Sequence, residues 1–138
     1  MEPIREGLFE LTGKGRGYLL TNRCERCGTS YFPRREKCIT CLESDRLVNT
    51  KLAGRGKLYT YTVLYRAAPE FNVPLLVGYV DFEKEGLRVF GQITGCSPEE
   101  LKIGSEMELV FEKMDVKDKE KEKLVYKFRP VSKETQKR

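Results

Sequence analysis

A mainly β protein is predicted by three observations. Two Cys-x-x-Cys pairs lie ten residues apart, five later segments alternate apolar and polar residues, and one helical turn separates the third of these from the fourth. Together they predict an N-terminal rubredoxin-like zinc ribbon over residues 18–52 and a five-stranded OB-fold barrel over 53–130. Residues 1–17 are a lead segment with a short helix, and 131–138 a disordered tail. The 138 residues are enough for one domain or two very small ones.

The cysteine pairs are Cys24/Cys27 and Cys38/Cys41. Each pair can sit on a tight turn that aims two sulfurs at one point. Two such turns facing each other make a tetrahedral S4 site, the arrangement of closed structural Zn²⁺ centres. Gly28 stands after the first pair, where a knuckle turn favours a residue at ease with positive φ. A rubredoxin-like iron site uses the same four ligands, and a disulfide pair is the covalent alternative. A ribbon of this size buries too little apolar surface to fold alone, so the metal supplies much of its folding energy.

In the lead segment, Ile4, Leu8, Phe9 and Leu11 are spaced as one helical face, which predicts the short helix. Gly13-Lys14-Gly15-Arg16-Gly17 then breaks it. This run lacks the Walker pattern, and a connector is preferred to a phosphate cradle. Tyr18, Leu19 and Leu20 lead into the first knuckle as a strand. Residues 47–52 are the ribbon's last strand.

From Gly54 the pattern has period two. Tyr59, Tyr61, Val63 and Tyr65 are expected on one face of a long first barrel strand, and Leu58, Thr60, Thr62 and Leu64 on the other. Leu75–Phe82 and Leu87–Thr94 are the second and third strands, with Leu87, Val89 and Ile93 inward. Gly91, inside the third, suggests a bulge or sharp bend. Ser97 and Pro98 start a helical turn by capping and first-position preference. Glu106–Met114 and Leu124–Arg129 complete the barrel around a solvated hairpin tip at 115–123. An SH3-like barrel is the other architecture with this strand count.

The composition narrows the chemistry. The chain has no histidine, which removes Ser-His-Asp and Cys-His catalysis and the usual neutral-pH proton shuttle. Cys96, with no histidine to activate it, is a small strand-ending residue rather than a nucleophile. Five cysteines without a signal-peptide pattern, and no apolar run near the ~20 residues of a membrane span, point to a cytoplasmic protein with no membrane partner. The net charge of +5 is uneven. Residues 22–57 carry nine Lys/Arg against four Asp/Glu, whereas 58–130 carry eleven against thirteen. A nucleic-acid groove should be basic along the barrel, and this barrel is mildly acidic, so a nucleic-acid-binding ribbon/OB protein is the lesser reading.

An ordered series of residues resembles a known family. Cys24-x2-Cys27-Gly28 is followed by Tyr31-Phe32-Pro33-Arg34, then Cys38-x2-Cys41. Gly54-Arg55-Gly56-Lys57-Leu58-Tyr59-Thr60-Tyr61-Thr62-Val63 opens the barrel, with Pro74, Gly86 and Gly91-Gln92-Ile93 beyond. Leu101-Lys102-Ile103-Gly104 and Phe128-Arg129-Pro130 close the series, which spans about residues 6 to 131. It is similar to the two-part zinc-ribbon/OB-fold family, long a domain of unknown function and later associated with acyl-CoA enzymes. Members resemble accessory subunits of thiolases, thiolase-like ketoacyl enzymes and some acyl-CoA hydratases. One bridges a thiolase to hydroxymethylglutaryl-CoA synthase in archaea, and one is part of benzoylsuccinyl-CoA thiolase. The resemblance implies a non-catalytic chain holding one structural Zn²⁺, a thiolase-type partner in a hetero-oligomer, and a role in shaping the partner's acyl-CoA site. Arg34, Arg35, Arg55 and Lys57, near the ribbon–barrel junction, are the candidates to meet CoA phosphates. The glycine-rich lead segment departs from relatives with a firmer helix there.

Overall fold

The computed structural model describes residues 7–13, 15–42, 46–69, 71–114, 116–118 and 123–131, and among these described residues it has nine strands and one 3-10 turn. The first sheet contains β1 (Phe9–Gly13), β2 (Arg16–Cys24), β3 (Ser30–Tyr31) and β4 (Leu47–Leu52). β2 is its spine. It pairs antiparallel with β1 and then β3 along one edge, and with β4 from Leu19↔Leu52 to Cys24↔Leu47 along the other.

The helix expected in the lead segment is not what the described residues form. Residues 1–6 lie outside the described residues, and from Phe9 the chain is strand. The glycine run supplies a reverse turn rather than a connector. Gly15, at φ 71, folds β1 back onto β2, and a Cβ on Gly17 would run into the main chain of Glu10 and Leu11 on the paired strand. Main-chain pairing and burial of Phe9 outweigh the helical spacing, and Leu11 is left exposed on the strand.

The barrel strands are β5 (Arg55–Leu64), β6 (Leu75–Phe82), β7 (Leu87–Ile93), β8 (Glu106–Lys113) and β9 (Leu124–Pro130). They close in the order β5-β6-β7-β9-β8, with β7 and β9 parallel and every other pair antiparallel. The long β5 serves both ends of the circuit, pairing β8 through residues 55–57 and β6 through 57–64. This is the OB-fold. Pro98–Glu100 forms the turn between β7 and β8, and the Ser97 amide and hydroxyl both donate to the Glu100 carboxylate at 3.0 and 2.9 Å.

Three local expectations change. A register shift between Leu58 and Thr60 leaves Tyr59 as an extra residue on β5. Before it Leu58 faces inward opposite Val80, and after it Tyr61 faces inward opposite Gly78. Tyr59 and Tyr61 therefore do not share a face. No shift occurs at Gly91, which pairs in register with Gly78; its missing Cβ makes room for the Phe128 ring, 2.8 Å away from that position. Val116, placed in the solvated hairpin tip, is buried and bridges to Phe71. Residues 115 and 119–122 of that tip and 132–138 of the tail lie outside the described residues; Val131 is buried and its amide donates to Glu106 O at 3.1 Å.

One core joins the two parts. Phe9, Leu19 and Leu52 of the first sheet pack into the same cluster as Leu58, Val80, Met107, Phe111 and Phe128 of the barrel. Phe9 meets Phe111 at 5.1 Å between ring centroids, and Phe32 meets Tyr126 edge-on at 5.6 Å. The knuckle end has its own small cluster of Cys24, Tyr31 and Cys38, edged by Cys41 and Leu47.

Candidate metal centre

β2 delivers Cys24 to its end, and the chain turns at once. The Gly28 amide donates to Cys24 O at 2.8 Å, with Gly28 at φ 79. The second knuckle repeats this geometry: the Leu42 amide donates to Cys38 O at 2.7 Å, and Leu42 sits at φ 61. Both turns bring two sulfurs to one point. Cys24 and Cys41 lie 3.5 Å apart, as do Cys27 and Cys38, and all four sulfurs lie within 4.8 Å of one another. A tetrahedral ion with metal–sulfur bonds of about 2.3 Å needs sulfurs roughly 3.8 Å apart. The donor set fits: four soft ligands, one atom each, closing every position.

Cys24 and Cys38 are buried, Cys41 is half-buried and Cys27 is exposed. Tyr31 is the organising neighbour. Its hydroxyl accepts the Ile39 amide at 3.1 Å, which leaves its proton for Cys38 Sγ at 3.2 Å. That hydroxyl pulls the Cys38 thiol down to about 6. Thr29, 3.1 Å from Cys27 Sγ, lowers that thiol too. Burial, then hydrogen bonding to the other three sulfurs, pushes Cys41 up to about 12. Packed sulfurs resist ionising together, and a dication at their centre removes that resistance.

Leu42 is the anomaly. A side chain at positive φ costs about 1–2 kcal/mol, and Leu42 is 66% exposed, so it regains little by packing. Leu42→Gly is expected to stabilise the metal-loaded protein by about 0.5–1 kcal/mol, after glycine's greater unfolded-state freedom is subtracted. A urea midpoint equal to or below wild type would contradict this.

The four basic candidates do not form one cluster. Arg34 is turned into the ribbon, where Nε donates to Thr21 O at 2.6 Å and a terminal nitrogen to Thr50 O at 3.0 Å. It ties β2 to β4 from outside their ladder. Loss of charge-assisted bonds of this kind costs about 1.5–3 kcal/mol each when the acceptors are left unpaired, less where water replaces them. Arg34→Ala is expected to lower stability by at least about 1 kcal/mol in chemical denaturation, with Arg34→Lys recovering only part. Arg35 lies 5.4 Å over the Tyr31 ring. Arg55 pairs with Glu106 at 3.4 Å and Lys57 with Glu83 at 3.9 Å; all four of these side chains are exposed. Arg55 and Lys57 share the outer side of β5 and line a depression of about 390 Å³ with Lys84 and four carboxylates, Asp81, Glu83, Glu85 and Glu106. Cys96 is half-buried, and burial, with Glu100 adding to it, raises its thiol.

Two comparisons by sequence agree with this geometry. Residues 12–48 match the family model for the ChsH2 rubredoxin-like zinc ribbon domain, and 49–112 that for the ChsH2 C-terminal OB-fold domain. A DUF35 domain-containing scaffold protein of Methanocaldococcus jannaschii is 38% identical over 123 residues, covering 86% of this chain and 85% of the relative. The chain belongs to the ChsH2-type, or DUF35, family. Its S4 cluster is therefore a zinc-ribbon site for one structural Zn²⁺. Benzoylsuccinyl-CoA thiolase subunit BbsA of Thauera aromatica is 34% identical over 103 residues, covering 74% of this chain and 69% of that subunit. Among solved structures, the Ltp2-ChsH2(DUF35) aldolase superposes with a TM-score of 0.64 at 28% identity, covering 83% of this chain and 86% of that one. No helix among the described residues is long and apolar enough to cross a membrane.

Cysteine spacing was enough to find the ligands. Tyr31 and Leu42 were missed as parts of the centre. Tyr31 reads as a strand aromatic until its hydroxyl is placed, and Leu42 is visible only as the residue in register with Gly28 when the two Cys-x-x-Cys-x segments are aligned.

Proposed function

We propose that this chain is a non-catalytic, zinc-organised accessory subunit of a thiolase-type acyl-CoA enzyme, working in the cytoplasm. It holds the catalytic partner and helps shape that partner's acyl-CoA site. The observation that carries the reading is the closed S4 centre in a chain without histidine, which offers neither an open metal position nor a neutral-pH proton shuttle. Relatives named as scaffold proteins and as a thiolase subunit support it. In this reading Arg55 and Lys57 meet CoA phosphates, since their carboxylate partners are exposed and easily displaced. Arg34 supports them indirectly by fixing the ribbon sheet, and Arg35 lies at its rim.

The test is purification of the tagged chain from its native host at low salt. A thiolase-like polypeptide in fixed stoichiometry is the expected result. Recovery of the chain alone, together with salt-sensitive binding to single-stranded DNA, would sink the proposal.

A further inference from the structure

The two outer faces of the barrel differ. β8 and β9 carry ion pairs, Arg129–Glu108 at 2.6 Å on the surface and Lys127–Glu112 at 3.7 Å with the lysine buried. On β5, β6 and β7 the outer face has charged side chains toward one end and three aromatic rings at its centre, those of Tyr59, Tyr79 and Phe90. Tyr79 and Phe90 stand directly opposite each other across β6 and β7, with ring centroids 5.2 Å apart. The bulge on β5 turns Tyr59 out beside them. Each of these three rings is between 41% and 48% exposed. Leu64 extends the apolar strip along β5.

The strip is also held rigid. The Arg88 guanidinium lies 3.4 Å over the Tyr59 ring and clasps Asp81 through two bonds of 2.7 and 3.2 Å. Lys57 and Glu83 pair at its edge. Arg88 is committed to Asp81 and to the Tyr59 ring, so the centre of the strip matches an apolar surface and not the phosphates of a nucleic-acid strand. Aromatic rings with a stacked arginine are the composition of interface centres, and side chains already fixed lose little entropy on docking.

Resting on the accessory-subunit reading, we propose that the outer face of β5–β7, centred on Tyr59, Tyr79 and Phe90, is the docking surface for the thiolase-type partner. The ribbon packs elsewhere on the barrel, through Phe9 on Phe111 and Phe32 on Tyr126, and among the described residues Tyr59, Tyr79 and Phe90 stay exposed.

The test uses the full zinc-loaded chain and the partner that co-purifies with it, identified as thiolase-type by its sequence. Calorimetric titration of the purified pair is expected to show Phe90→Glu and Tyr79→Ser each weakening the complex by at least about 30-fold, the loss typical of an interface centre. Ile103→Ser, at an exposed residue before β8, is expected to bind as wild type does. Zinc content and urea midpoints confirm folding, and Tyr59→Leu replaces Phe90→Glu where the glutamate unfolds β7. Wild-type affinity in both the Phe90 and Tyr79 variants overturns the docking face while leaving the accessory role standing. A wild-type homodimer that Phe90→Glu dissociates, or single-stranded DNA binding that it abolishes, also overturns it. Failure of the wild-type chain to bind any thiolase-type protein removes the accessory reading and this inference with it.

Discussion

Cys38→Ser is expected to lose zinc and to unfold the knuckle half of the ribbon while the barrel stays folded. The reason lies in how the apolar contacts divide. The knuckle end owns a cluster of three buried residues, two of them metal ligands, so it has almost no core once the metal leaves. The other half of the same sheet shares the barrel core through Phe9, Leu19 and Leu52. Structural zinc contributes apparent binding energies of about 10–16 kcal/mol, comparable to the entire ~5–15 kcal/mol stability of a small domain. Serine is a poor ligand for Zn²⁺, and its neutral hydroxyl is a weaker acceptor than a thiolate for the Tyr31 proton directed at this position. Metal analysis should fall from about one equivalent to less than half. Hydrogen exchange should then expose the amides of Gly28 and Leu42 that close the two knuckles, and leave those of β6 and β7 protected. Chelation of the wild-type chain should give the same pattern. A Cys38→Ser protein with both knuckle amides still protected would sink the argument, as would a wild-type protein that never carries more than half an equivalent of zinc.

What could be read directly from the residues was local. The ligand set follows from spacing, because a Cys-x-x-Cys turn needs nothing beyond itself to point two sulfurs together. β6 is bounded by Pro74 and by the charged Glu83–Gly86 turn, and its predicted limits match those observed. What escaped depends on partners distant in the chain. β1 has helical spacing, but its pairing with β2 and the fit of Phe9 against Phe111 decide its conformation. The Tyr59 bulge exists only in relation to β6, where Leu58 meets Val80 and Thr60 meets Tyr79. Until that skip is known, the tyrosines of β5 fall on one face, and the outward aromatic strip with Tyr79 and Phe90 cannot be assembled. The basic candidates share charge and a place near the ribbon–barrel junction, yet Arg34 and Arg55 differ because one finds carbonyls inside its sheet and the other a carboxylate 51 residues away.

Phe128→Ala is the substitution expected to cost the barrel most. Phe128 is fully buried and sits on β9, the strand that closes the circuit by pairing antiparallel with β8 and parallel with β7. Its ring meets Phe82 at 6.1 Å and Tyr126 at 6.0 Å, and it occupies the space that Gly91 leaves empty. Removing a buried phenylalanine ring costs about 3–5 kcal/mol, the transfer term plus the cavity left behind. That is a large share of a stability of ~5–15 kcal/mol, so a large drop in urea midpoint is expected with zinc still bound. The fit with Gly91 gives a sharper test. Gly91→Ala alone places a methyl 2.8–3.0 Å from two atoms of the Phe128 ring, a contact that must be relieved by moving the ring or the strand. In the Phe128→Ala background the two closest contacts vanish and only the Tyr126 ring, 3.1 Å away, still crowds that methyl. The two changes should therefore be non-additive, with the double variant more stable than the sum of single losses by about 1 kcal/mol or more. Strict additivity would show that β7 and β9 are not locked together at this position, and a loss below about 1 kcal/mol for Phe128→Ala would show that the barrel core can collapse around the missing ring. Either result would count against a rigid barrel as the platform on which the outward aromatic face is held.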